Sequence, residues 1–135
     1  MSELTVMIVD DQDDFREILT TYLEEEGYYV MQAGDGAAAL RDIRFRKPDL
    51  ILLDIIMPKV DGYEVCRALK ADPETADIPI VFLSAKTSLS DKLTGYVSGG
   101  QRFLCKPFDM DELEDCLGAM LNREGPGGGA SRVMA

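Results

Sequence analysis

The chain has 135 residues, 46% hydrophobic and 29% charged, the size and balance of one ordinary domain with a proper core. Fourteen basic against 25 acidic residues give a net charge of -11, which argues against direct binding of nucleic-acid phosphates or anionic lipid and suits a basic partner or a divalent cation. Histidine is absent, which excludes imidazole zinc ligands, Ser-His-Asp triads and imidazole acid-base chemistry.

Thr5 to Asp10 is apolar up to its last residue and predicts a strand, which runs straight into Asp10, Asp11, Asp13 and Asp14. Crowded carboxylates repel and raise one another's pKa unless a cation or a helix N-terminus offsets them. Asp13 to Glu26 predicts a helix with Phe15, Ile18, Leu19, Tyr22 and Leu23 in one inward stripe, stopped by Gly27. Asp13 and Asp14 then fit the helix start, which leaves Asp10 and Asp11 at the strand rim. Tyr28 to Ala33 predicts the second strand, and Gly36 to Arg46 a helix burying Ala39, Leu40 and Ile43 before Lys47-Pro48 ends it. Asp49 to Asp54 follows as a strand, and a helix opens at Asp61, whose pairing with Glu64 reads as a capping box; it buries Val65 and Leu69 and ends before Asp72-Pro73.

Ile78 to Leu83 predicts the fourth strand, and Ser88 to Ser98 a helix with Leu89, Leu93, Tyr96 and Val97 inward and Gly95 in its interior. Arg102 to Cys105 is the fifth strand. Asp109 and Glu112 cap a fifth helix that buries Leu113, Cys116, Leu117, Met120 and Leu121. Beyond Arg123 the glycine-rich GPGGGASRVMA cannot recover its ordering entropy through burial, so residues 1–123 read as one domain and 124–135 as a flexible tail or linker. Cys66, Cys105 and Cys116 form no CxxC pair and predict buried, reduced thiols. With no apolar stretch of signal or membrane-spanning length, a cytoplasmic protein without membrane insertion is expected.

Strands that are apolar almost throughout and alternate with helices predict a parallel sheet covered on both faces, an α/β doubly wound three-layer sandwich. Ligands of such sheets bind outside the carboxyl ends of the strands, where the strand order reverses. If the order is the flavodoxin-like 2-1-3-4-5, the second strand, ending on uncharged Gln32-Ala33, is an edge, and Asp10-Asp11, Asp54, Ser84 and Lys106 converge on one rim. Singly, Asp54 reads as a loop cap and Ser84 as a turn residue; jointly, they make a hard-oxygen site suited to Mg2+ and a phosphoryl group.

These pieces resemble the receiver domain of two-component response regulators, of the small chemotaxis-regulator type. The match spans about Leu4 to Asn122 and rests on Asp10-Asp11, on Asp54-Ile55-Ile56-Met57-Pro58 with Asp61-Gly62, on Ser84-Ala85 and on Lys106-Pro107-Phe108, in family order and spacing. The resemblance implies a flavodoxin-like (βα)5 fold in which Asp54 accepts a phosphoryl group from a partner's phosphohistidine. Asp11 and Asp54 would ligate Mg2+ directly, with the Ile56 backbone carbonyl as third protein ligand and Asp10 acting mainly through metal-bound water. Lys106 and Ser84 would each engage a phosphoryl oxygen, a cis bond before Pro107 would fix the loop, and Phe103 would be the switch aromatic of the face formed by helix 4, strand 5 and helix 5. A sensor histidine kinase or histidine phosphotransferase would donate, and a downstream protein effector would bind that face, which is also a candidate for pairing two copies; no direct nucleic-acid contact is implied. The resemblance makes the chain a signalling phosphoacceptor rather than an enzyme in the ordinary sense.

The chain departs from the family pattern at Phe103, often tyrosine in relatives, and at Gly99-Gly100-Gln101-Arg102, which replaces a more acidic run and makes that loop more flexible. Flavodoxin itself is excluded because the acids after the first strand would repel an FMN phosphate, and a haloacid-dehalogenase-like phosphatase because Asp11-Gln12-Asp13 does not end an apolar strand in the register its Asp-x-Asp motif requires. The remaining alternative is a pseudo-receiver, an interaction module that uses the fold without phosphorylation.

Overall fold

The computed structural model describes residues 4–85 and 89–121. Five strands alternate with five helices: β1 (Thr5–Val9), α1 (Asp13–Glu25), β2 (Tyr29–Ala33), α2 (Gly36–Ile43), β3 (Leu50–Asp54), α3 (Gly62–Ala71), β4 (Ile80–Ser84), α4 (Leu89–Ser98), β5 (Arg102–Cys105) and α5 (Met110–Leu121). All strands are parallel, in the order β2-β1-β3-β4-β5. The glycine-rich tail and the expected helix start at Ser88 lie outside the described residues.

The three inner strands β1, β3 and β4 are buried at every position, because successive side chains feed two separate cores. Met7, Val9, Ile51, Leu53, Ile80 and Phe82 pack with Ala39, Ile43, Val65, Cys66 and Leu69 of α2 and α3. Val6, Ile8, Leu50, Leu52, Val81 and Leu83 pack with Leu19, Leu23, Leu113, Cys116 and Leu117 of α1 and α5. The edge strands are only half covered, with Tyr29, Gln32, Arg102 and Cys105 exposed.

Both predicted capping boxes form: the Asp61 carboxylate accepts from Glu64 N at 2.9 Å and the Asp109 carboxylate from Glu112 N at 2.8 Å, while each glutamate reaches back to the first residue's N–H. A cap not read from the sequence is Asp35, which accepts from Ala38 N at 2.8 Å and starts α2. Helix α2 also ends earlier than expected, at Ile43, with Arg44 to Arg46 in a terminal turn.

Three expectations need correction. Ile18 is 66% exposed, because α1 meets the sheet through Leu19 and Leu23, and a residue one step around the helix from Leu19 lies past the rim of that contact. Cys105 is exposed, since β5 is an edge strand, whereas Cys66 and Cys116 are buried. Among the described side chains of α4, which do not include Leu89, the inward residues are Gly95 and Ser98, while Leu93, Tyr96 and Val97 are 54%, 51% and 87% exposed. The helix lies so close over the sheet that a Cβ on Gly95 would collide with the Phe103 ring and stand 3.1 Å from Phe82, so only small residues fit beneath and the bulky ones turn to solvent. Gly99 and Gly100 close α4: Gly99 has φ +110, Gly100 N donates to Gly95 O at 3.0 Å and Gly99 N to Tyr96 O at 3.0 Å, a Schellman pattern.

Candidate functional site

The carboxyl ends of β1, β3, β4 and β5 bring the predicted residues to one rim. Asp10 directly follows β1, Asp54 ends β3, Ser84 ends β4 and Lys106 follows β5. One carboxylate oxygen from each of Asp10, Asp11 and Asp54 lies within 4.8 Å of the others, with Asp10 and Asp54 buried and Asp11 exposed to solvent. The Lys106 ammonium donates to Asp10 Oδ2 at 2.7 Å and stands 3.9 Å from Asp54 Oδ1. The peptide bond before Pro107 is cis.

Charge is balanced unevenly here. Burial first, and the Asp10 carboxylate second, push the Asp54 carboxyl from 3.8 up to about 6, against the opposing pull of Lys106 and of a hydrogen bond from the Ile56 N–H. A cleft that holds three carboxylates against one lysine has the donor set of a hard divalent cation site, with oxygen ligands and solvent access through Asp11. Glycine is needed at position 62, the first residue of α3, because a Cβ there would collide with the Asp54 carbonyl oxygen and lie 2.8 Å from Ile55 Cα. The Gly62 N–H also donates to Ile55 O at 2.9 Å, which ties the start of α3 to the chain just past Asp54.

Asp13 and Asp14 stand apart from this cluster in the first turn of α1, as expected of helix-start acids. Asp13 pairs with Arg16 at 2.8 Å. Sequence reasoning passed over Arg16, which also donates to the Asp10 carbonyl at 2.6 Å and to Gln32 Oε1 at 3.1 Å, tying the ends of β1 and β2 to α1. Its signal was a cation near a helix N-terminus, where the macrodipole disfavours it. Gln12, likewise passed over, donates its N–H to Asp10 Oδ1 at 2.8 Å and offers Oε1 to Lys106 at 3.4 Å.

The model of the response regulator receiver domain matches residues 6–117. The chain belongs to this family. Among similar proteins, this receiver domain is 43% identical over 123 residues to the phosphate regulon transcriptional regulatory protein PhoB of Pseudomonas aeruginosa, covering 91% of this chain and 54% of PhoB. It therefore spans about half the length of the curated relatives it matches. Chemotaxis protein CheY4 of Vibrio cholerae superposes with a TM-score of 0.86 at 31% identity over 89% of this chain and all of that one. The receiver domain of sensor histidine kinase PA1611 from Pseudomonas aeruginosa, solved with a magnesium ion in its active site cleft, gives 0.83 at 27% identity over 90% of this chain and all of that one.

The far side of the receiver domain's rim is aromatic. Ser84 shares its face of β4 with Phe82, and Phe82 pairs in register with Phe103 of β5, their rings 5.4 Å apart. Phe103 meets Tyr96 of α4 edge-on at 6.3 Å, and Tyr63 of α3 meets Phe82 at 5.3 Å while its hydroxyl donates to the Asp91 carbonyl of α4 at 3.0 Å. One packed row thus runs from the site's fourth strand to the exposed face of α4. Among the described residues, no helix is long and apolar enough to cross a membrane.

Proposed function

We propose that this receiver domain is a Mg2+-dependent phosphoacceptor switch in which Asp54 is the modified residue. The observation that carries the reading is the cluster itself: three carboxylates within 4.8 Å, two of them buried, with a lysine 2.7 Å from one and 3.9 Å from another. An Asp54 oxygen attacks the phosphorus of a partner's phosphohistidine. The P–N bond breaks, an acyl phosphate forms on Asp54, and the imidazole leaves with the partner. No histidine lies among these 135 residues, so the donor imidazole lies outside them, on a sensor histidine kinase or a histidine phosphotransferase.

Asp11 and Asp54 would hold Mg2+ directly, with the Ile56 carbonyl, and Asp10 would hold it through water. The metal, when bound, neutralises the approaching phosphoryl oxygens. Lys106 supplies the second positive charge, moving from Asp10 toward a phosphoryl oxygen, and Ser84 donates its hydroxyl to another. Modification replaces the single negative charge of Asp54 with a phosphoryl group that carries about two, and drawing Ser84 toward it shifts the row through Phe82 and Phe103 that underlies α4. The exposed Leu93, Tyr96 and Val97 support an output face there for a protein effector or a second copy, in the cytoplasm.

The test is incubation with a small phosphodonor and Mg2+, read by intact mass. Wild type is expected to gain one phosphoryl group that base or hydroxylamine removes, as for an acyl phosphate, and Asp54→Asn or excess chelator to abolish it. Label that persists in Asp54→Asn, or no label in wild type, would reject the reading in favour of an unphosphorylated interaction module.

A further inference from the structure

Lys106 is held by more than carboxylates. Its ammonium sits 4.2 Å from the centroid of the Phe15 ring, inside the range of a cation–π contact, and its side chain is 17% exposed. Phe15 lies in the first turn of α1, and Phe108, two residues past Lys106, meets the Phe15 ring edge-on at 5.9 Å and 88°. The ring is therefore fixed by a helix on one side and by the loop after β5 on the other.

Among the described residues the ammonium also has Asp10 Oδ2 at 2.7 Å, Gln12 Oε1 at 3.4 Å and Asp54 Oδ1 at 3.9 Å. An ammonium has three N–H donors and a flexible four-carbon stem. A ring face attracts the charge without accepting a conventional hydrogen bond. It displaces water that would compete for the donors, and leaves them aimed at the carboxylate cleft.

We infer that Phe15 is the positioning residue of Lys106, an aromatic platform that keeps the ammonium over the Asp10–Asp54 cleft, ready for an incoming phosphoryl oxygen. The inference rests on the phosphoacceptor reading for its consequence, though not for its geometry. A purely packing role for Phe15 would be met equally well by leucine or methionine; the platform role requires a π face.

The experiment uses the full chain with Phe15→Leu, Phe15→Met and Phe15→Tyr. Proton NMR of the unmodified protein reads the Lys106 side chain: in wild type and Phe15→Tyr its ε-methylene protons are shifted upfield by the ring current, and in Phe15→Leu and Phe15→Met that shift is lost. With acetyl phosphate and Mg2+, the ring-free variants label on the order of tenfold more slowly and Phe15→Tyr labels near the wild-type rate. Wild-type labelling rates in both ring-free variants, or Lys106 resonances that do not respond to loss of the ring, overturn the inference. Failure of wild type to label rejects the phosphoacceptor reading separately, and the Lys106 resonances then decide the platform by themselves. Methionine provides a second ring-free variant if leucine fails to fold.

Discussion

Asp54 is costly to ionise where it stands. Its carboxyl titrates near 6 rather than 3.8, so between about pH 4 and pH 6 the folded protein holds a proton that the unfolded chain has released. Stability therefore falls as pH rises through that window and stays lowered above it. At 1.36 kcal/mol per pKa unit the cost is up to about 3 kcal/mol. In the metal-free protein, Asp54→Asn is expected to be more stable than wild type at pH 7 by part of that amount, with the advantage vanishing below about pH 4. Urea denaturation of both proteins across that range, in chelator, checks it; a gap independent of pH would contradict the assignment. Reading the sequence identified the residue types but not this energy, because the shift comes from burial and from Asp10, 44 positions away in the chain yet its neighbour in space.

At the scale of elements, the join between β3 and α3 closely constrains the backbone of Asp54. Gly62→Ala places a methyl against the Asp54 and Ile55 backbone, and overpacking of this kind costs about 1–3 kcal/mol. Because the displaced atoms belong to Asp54, the proposed acceptor, the rate of phosphoryl labelling is expected to fall with the melting temperature. Asp61→Ala, one residue earlier, removes a capping acceptor 2.9 Å from Glu64 N and should cost about 1 kcal/mol, read as a lower melting temperature. That cap was legible as Asp61-x-x-Glu64, since a capping box is local. The inward face of α4 was not legible: periodicity marks an apolar stripe, but whether the stripe faces the sheet depends on how near the Phe82 and Phe103 rings bring the helix.

For the whole molecule, a cation that binds only the assembled cleft must stabilise the fold, because the three carboxylates come from the ends of two strands, Asp10 and Asp11 after β1 and Asp54 on β3. Mg2+ at 100 times its dissociation constant is expected to add about 2.7 kcal/mol, raising the melting temperature of wild type but not that of Asp11→Asn. An equal rise in both would place the ion elsewhere. By itself the sequence determined the βα alternation, the two-faced sheet and the rim residues, since continuous apolar strands, capping pairs and polar strand ends are properties of neighbouring residues. Only the tertiary structure decided which thiol is exposed, which side of α4 meets solvent, and that Arg16, Gln12 and Phe15 gather around Asp10 and Lys106. Those outcomes depend on edge position, helix-to-sheet distance and contacts across as many as 94 residues of chain, which no local pattern records.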